Sequence, residues 1–303
     1  MKFLKTNDIV DIVSPGTACT LAEIKKIEEF ILDLGLLPNI FYGTQTTLKK
    51  STTHEFPSFD AEIRFKQLKA AIENPESKII WCARGGYGSI ELVPLLKKMP
   101  KPKIKKIFIG FSDISSLNKV LIEDWGWEVI AAPMLAQIIN KKVSENSTKA
   151  IVDLIFGKKT KLKYNLLTTH HSSLTTITGG CLSVLAGSFG TKNQVDWKNK
   201  ILFLEDEGED GERLDRYFGQ LAQIMNEKKS FPKAILLGNF LEANPHGTPK
   251  AKNIEIAIAK FSKKVAVPVL IEKSKKLGHS KNMLPLVLGA KAKIEKGVLE
   301  QNL

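Results

Sequence analysis

KKIFIGFSDISSLNKVLIEDWGWEVIAAPML, residues Lys105–Leu135, changes its periodicity twice. Apolar residues run together in KKIFIGF, recur at helical spacing through DISSLNKVLIEDWG, and run together again in WEVIAAPML. That is the pattern of a buried strand, a crossover helix and a second buried strand, the repeating unit of a parallel sheet. The first junction carries Ser112 and Asp113 where the strand breaks off. In a doubly wound sheet, ligands bind outside the carboxyl ends of the strands.

The same alternation extends toward the N-terminus. DIVDIVSPG (Asp8–Gly16) predicts a strand running into a turn, and LAEIKKIEEFILDLG (Leu21–Gly35) a helix with glycine at its C-terminal end. RFKQLKAAIEN continues as a helix, SKIIWCARGG as a strand ending in glycines, and SIELVPLLKKM as a helix kinked at Pro94. From Lys141 to Thr178 the rhythm is lost in a Ser/Thr- and Lys-rich stretch around one short helix, which predicts a domain crossover. Beyond it, KNKILFLED, KAILLGNF and VAVPVLIEK are strands, GERLDRYFGQLAQIMNEK is a helix, and MLPLVLGAKAKIEKGVLE alternates like an antiparallel pair. The expectation is an α/β protein of two domains, 1–165 and 166–303, the second mixed and with fewer long helices.

A chain of 303 residues with 43% hydrophobic and 25% charged residues is too apolar for a disordered protein. No apolar run is long enough for a membrane span, and Asn7, Asp8 and Asp11 interrupt the N-terminal stretch before a signal-peptide core develops, so a cytoplasmic location is expected. The net charge of +13 raises nucleic acid as a partner. However, 41 of the basic residues are lysines, spread along the chain without interleaved aromatics, which fits a charged surface. The four arginines are Arg64, Arg84, Arg213 and Arg216; where lysine is the default cation, arginine implies a need for a planar, bidentate donor. Cys19, Cys82 and Cys181 are sparse, odd in number and without a C-x-x-C spacing, which fits free thiols and neither a disulfide framework nor a zinc site.

Ser112, between strand and helix, has the placement of a nucleophile elbow, although G-F-S-D-I is not G-x-S-x-G. A plain helix cap explains the same residues. In CARGGYGS (Cys82–Ser89) the glycines let backbone amides point into a cleft, and the amides of Gly86 and Asp113 would make the two donors of an oxyanion hole. The motif lacks the spacing and the downstream acid of a dinucleotide site. A serine nucleophile needs a base, and His54, His170, His171, His246 and His279 are all open on spacing alone. ILFLEDEGEDGERLDR (Ile201–Arg216) supplies acids, six of the eight residues from Glu205 to Glu212. Calcium-loop spacing is absent. Glu205, ending a buried strand, needs a partner, and an imidazole is a suitable one.

Taken together and in order, IVSPG, WCARGGYGS, IGFSDIS, TGG, LFLEDEGEDGERLDR and GHSKN resemble the LD-carboxypeptidase family, which includes muropeptide carboxypeptidases and microcin C immunity proteins. The resemblance spans nearly the whole chain. It implies a flavodoxin-like N-terminal domain carrying nucleophile Ser112, and a smaller, swivelling β/β/α C-terminal domain carrying Glu205 and His279 as carboxylate and general base. It also implies Gly86 and Asp113 as oxyanion donors, a homodimer, and no metal or other cofactor. The expected substrate is a murein tetrapeptide losing its terminal D-alanine in cytosolic cell-wall recycling, with Arg84 and Glu209 as substrate-binding residues. The chain departs from the family at Cys181, where asparagine is common, at Ala131-Ala132-Pro133, where H-G-P is common, and after Glu209, where Asp210, Gly211 and Glu212 make the rim more acidic. The alternatives are an immunity-type hydrolase of aminoacyl-nucleotide amides and a non-catalytic nucleotide- or ligand-binding protein.

Overall fold

Val10, Ile12, Ile79, Ile80, Trp81, Phe108, Ile109, Val129 and Ile130 are fully buried along four strands, Ile9–Val13, Ser77–Cys82, Ile107–Ile109 and Glu128–Ala131. Continuous apolar strands of this kind are what a sheet covered on both faces requires. The computed structural model describes residues 3–41, 45–46, 59–167, 172–241 and 251–303. Contacts divide the chain into two units, Met1–Thr160 with Lys281–Val287, and Lys161–Ser280 with Leu288–Leu303.

The sheet of the first unit runs Leu286–Leu288, all but its last residue in this unit, then Glu128–Ala131, Ile107–Ile109, Ser77–Cys82, Ile9–Val13 and Leu37–Ile40. The four pairings among the last five are parallel. Numbered in chain order, those five lie 2-1-3-4-5, the flavodoxin-like winding, whose reversal falls between Ile9–Val13 and Ser77–Cys82. The loops that follow these two strands, Ser14–Ala18 and Ala83–Gly88, therefore meet at the switch point. Beneath the sheet, Asp11 accepts from Asn39 at 2.7 Å, Asn74 at 2.9 Å and the buried Lys106 at 3.2 Å, and also from Ser77. One lysine of KKIFIGF is thus an internal cation whose pKa burial pulls down against the Asp11 charge.

The helix Leu21–Asp33 starts with a capping box between Thr20 and Glu23, and Gly35, at φ +73°, ends it in the left-handed conformation expected of a C-terminal glycine. The helix expected over Asp113–Gly126 is instead a 3₁₀ helix, Ser112–Leu117, followed by a π-helix, Lys119–Asp124. Side-chain hydroxyls are the reason for the first change. The Asp113 carbonyl accepts from Ser89 Oγ at 2.6 Å and Ser116 Oγ at 3.0 Å, in competition with the α-helical bond four residues on. SIELVPLLKKM likewise divides into a 3₁₀ helix, Ser89–Leu92, and a short α-helix, Val93–Leu96, so Pro94 sits in a first turn, where its missing N–H costs nothing, and causes no kink.

The second unit is built on a sheet in the order Val269–Ile271, Ala234–Leu241, Ile201–Glu207, Ser172–Cys181, Lys291–Glu295, Val298–Asn302, Lys161–Asn165. Its first three pairings are parallel and its last three antiparallel. Two of these strands, Lys161–Asn165 and Ser172–Cys181, lie in the stretch read from sequence as a crossover. Leu162 and Tyr164 are buried between exposed lysines, an alternation that the lysine content masked. Among the described residues its long helices are fewer but longer. Gly211–Glu227 has 17 residues and Ala251–Lys264 has 14, against 13 for the longest of the first unit. They pack through Phe218 and Phe261, stacked at 4.4 Å. Among the described residues no helix is long and apolar enough to cross a membrane.

Candidate active site

The strand Ile107–Ile109 leads through Gly110 to an extended Phe111, and Ser112 then turns to φ +63°. A serine in the left-handed region is uncommon and costs on the order of 1 kcal/mol or more, so neighbouring structure has to hold it. Ser112 is half-buried and opens the 3₁₀ helix without capping it. The capping is done by its neighbour, and toward a different segment. Asp113 Oδ1 accepts from Gly88 N at 3.2 Å, and Oδ2 accepts from Ser89 N at 3.0 Å and Ser89 Oγ at 2.7 Å. The carboxylate beside Ser112 thus welds the glycine loop to the serine turn.

Gly86 adopts φ +89°, and a Cβ there would lie 2.1 Å from Thr17 Oγ1, so no other residue fits without displacing the loop. Thr17 holds that loop through two bonds, its N–H to Gly85 O at 2.8 Å and its hydroxyl accepting from Tyr87 N at 3.2 Å. Arg64 and Gln67, one turn apart on the helix Ala61–Glu73, brace the switch-point loops from behind. Arg64 is 2% exposed; its Nη1 donates to Pro15 O at 2.6 Å and Gly88 O at 2.8 Å, its Nε to Phe59 O at 2.7 Å, and its Nη2 meets Glu91. Gln67 bonds both the N–H and the carbonyl of Ser14. The sequence flagged a rare arginine here without a role for it; its fork spans the two loops.

Arg84 donates to Glu23 Oε1 at 2.7 Å. Burial works against the Glu23 charge, but hydrogen bonds from the Thr20 amide and Asn140, with Arg84 beside them, hold its carboxyl below the usual range.

In the second unit Glu205 and His279 are brought together. Glu205, 1% exposed, pairs through Oε2 with His279 Nδ1 at 2.6 Å and accepts the His279 backbone N–H at 2.9 Å. The close approach depends on Gly278 at φ +83°, where a Cβ would meet Glu205 at 2.6 Å. Asn239, at the end of the neighbouring strand, fixes the histidine loop. Its Nδ2 donates to Lys275 O at 2.7 Å and His279 O at 2.8 Å, and its N–H to Leu277 O at 2.8 Å. Sequence reasoning missed Asn239, although an amide closing an apolar strand was a usable signal. Burial pulls the His279 pKa down, but the charge and hydrogen bond of Glu205, with Glu207 and Asp206 added, outweigh it and leave it above the usual 6.5. His54, His170, His171 and His246 lie outside the described residues.

The acidic run resolves into separate tasks. Asp206, 1% exposed, turns away from His279 to accept from Ser183 N at 2.6 Å and Ser183 Oγ at 3.1 Å. Glu209 faces Arg213 Nη1 at 3.5 Å, and Asp210 caps the helix Gly211–Glu227 through Arg213 N at 2.8 Å. Cys19, Cys82 and Cys181 are buried free thiols.

Known proteins match both halves of the chain. The N-terminal domain of LD-carboxypeptidases matches residues 10–132 and their C-terminal domain residues 175–294. A Rickettsia conorii chain named as a carboxypeptidase is 29% identical over 305 residues, covering 96% of this chain and 89% of its own. The murein tetrapeptide carboxypeptidase of Pseudomonas aeruginosa is 28% identical over 272 residues, 84% of this chain and 85% of its own. In fold, the muramoyltetrapeptide carboxypeptidase of Oxalobacter formigenes superposes with a TM-score of 0.78 at 23% identity, covering 96% of this chain and 97% of that one. With both domain types matched in sequence and in order, the chain belongs to the LD-carboxypeptidase family, whose members are serine-type peptidases.

Proposed function

We propose that the protein is a serine carboxypeptidase that removes the terminal D-alanine of murein tetrapeptides, with Ser112 as nucleophile, His279 as general base and Glu205 as the carboxylate that orients it. The observation that carries this reading is the Glu205–His279 pair, in which Nδ1 is committed to a buried carboxylate at 2.6 Å and Nε2 is left as the basic nitrogen. The left-handed turn at Ser112 supports the nucleophile assignment.

In the proposed cycle His279 Nε2 takes the proton of Ser112 Oγ as the oxygen attacks the carbonyl of the L-centre that precedes the terminal D-residue. Glu205 stabilises the imidazolium, and the amides of Gly86 and Asp113 receive the oxyanion. His279 passes its proton to the departing amine of D-alanine. Water, activated by the same imidazole, then releases the acyl group and restores Ser112. The amides at the Asp113 turn and the Arg84 guanidinium suit the substrate's terminal carboxylate, and the acidic rim around Glu209 suits the free amine of a diamino acid. We further propose cytosolic recycling by a homodimer; three buried free thiols fit a reducing compartment.

The test is D-alanine release from purified tetrapeptide by wild type and Ser112→Ala, with fluorophosphonate labelling followed by peptide mass spectrometry. Release and label at Ser112, both lost in the folded variant, support the reading. Full turnover by Ser112→Ala defeats it. Cleavage of an acyl sulfamoyl adenylate without D-alanine release would favour the immunity-type hydrolase.

A further inference from the structure

Glu207 lies two residues beyond Glu205 on the strand Ile201–Glu207, so both side chains leave the same face of the sheet. Glu205 is buried against Nδ1 of His279; Glu207, 55% exposed, places Oε2 3.4 Å from Nε2. The imidazole therefore has a carboxylate at each nitrogen. We propose that Glu207 holds His279 Nε2 in the resting enzyme, competes with the nucleophile for that nitrogen, and sets the pH at which the general base becomes available. The inference rests on His279 being the base.

An imidazole flanked by two carboxylates is stabilised as the imidazolium, because only the cation donates from both nitrogens. Nε2 is also the nitrogen that must be empty to accept a serine proton. Each proton held there by Glu207 removes one active base, so the carboxylate trades activity at low pH for a defined histidine position. Among the described residues, the ionisable groups that raise the ring's pKa include Glu205, Glu207 and Asp206, all from one strand; Asn239, a polar side chain that reaches the histidine loop from the adjacent strand, is uncharged. Their charges outweigh burial and hold His279 above its ordinary value. Because Glu207 is exposed, its share is screened by salt, whereas the Glu205 share is not.

The experiment is an NMR titration of the histidine rings in Ser112→Ala protein with and without Glu207→Gln, the His279 signal being assigned by its loss in His279→Gln. It is run at low and high salt beside the pH profile of kcat/KM in the Ser112 proteins. Glu207→Gln is expected to lower the His279 midpoint by about half a pH unit or more, to reduce its salt dependence, and to move the acidic limb of kcat/KM the same way. An unchanged ring titration overturns the proposal, whether or not the activity profile moves. If the ring titration shifts but no D-alanine is released by any form, the coupling between Glu207 and His279 stands and the peptidase reading fails.

Discussion

The backbone N–H and the Nδ1 of His279 converge on a single oxygen, Oε2 of Glu205, at 2.9 and 2.6 Å. A buried carboxylate is an acceptor only, so Nδ1 carries a proton and Nε2 is left as the basic nitrogen. One residue thereby fixes the ring's tautomer, its rotation and the loop that bears it.

Replacing Glu205 by Gln keeps the volume and removes this constraint. An amide can donate to Nδ1, which moves the ring proton to Nε2 and produces the wrong tautomer. D-alanine release should fall by about 10²- to 10⁴-fold in kcat, while the thermal midpoint changes by only a few degrees. A variant with kcat within threefold of wild type would sink the orienting role.

Gly86→Ala acts on the other half of the proposed chemistry. The added methyl would meet Thr17 Oγ1 at 2.1 Å from a backbone at φ +89°, so the amide has to move. Loss of one oxyanion donor costs about 10²- to 10³-fold. The decrease should appear in kcat and in the rate of fluorophosphonate labelling, with KM little altered. A parallel rise in KM with constant kcat would instead mark Gly86 as a binding element.

Arg64→Lys tests whether the buried fork, rather than its charge, holds the switch-point loops. A single ammonium cannot reach the carbonyls of Phe59, Pro15 and Gly88 at once. With hydrogen bonds to charged groups worth about 1.5–3 kcal/mol each, a loss of about 2–4 kcal/mol is expected from the shift in urea midpoint at constant slope. A loss below about 0.5 kcal/mol, the scatter for an ordinary surface substitution, would exclude that role.

Asp206 gives a pH dependence of stability with a definite sign. Burial pushes its carboxyl up to about 7, against the Ser183 hydrogen bonds and with the charges of Glu205 and Glu209 adding to the rise. Between the unfolded value of 3.8 and about 7 the folded chain holds a proton that the unfolded chain releases. Its contribution is therefore complete below the unfolded value and is lost as pH rises through the folded one. Asp206→Asn removes the titration, so the variant's stability relative to wild type should improve from pH 5 to pH 8, by on the order of 1–2 kcal/mol, in chemical denaturation at the two pH values. An improvement in the opposite direction would show that Asp206 is stabilised as the anion.

The parallel strands of the first sheet were legible because their cause is local. Fully buried parallel strands have to be apolar throughout, and the turns that follow them need glycine, serine or aspartate, so SKIIWCARGG and KKIFIGFSD announce both strand and loop. The carboxylate at the end of KNKILFLED was equally visible, as a charge that burial obliges to find a partner. Less legible were features in which a side chain overrides a local preference. The hydroxyls of Ser89 and Ser116 take the Asp113 carbonyl from an α-helix, and the strand Lys161–Asn165 hides its inward Leu162 and Tyr164 among lysines.

By itself the sequence determined that the first half folds as parallel βα units, that a serine stands at one strand end, and that a cluster of acids stands at another. Spacing left the histidine open and the family resemblance pointed to His279; only the tertiary structure decided how the acids around it divide their tasks and that Arg64 spans two loops. Those outcomes depend on packing between residues tens of positions apart, Glu205 with His279 and Arg64 with Pro15 and Gly88. Local periodicity carries no information about such distances, whereas the burial of charge makes each of these partnerships obligatory once the chain has brought them near.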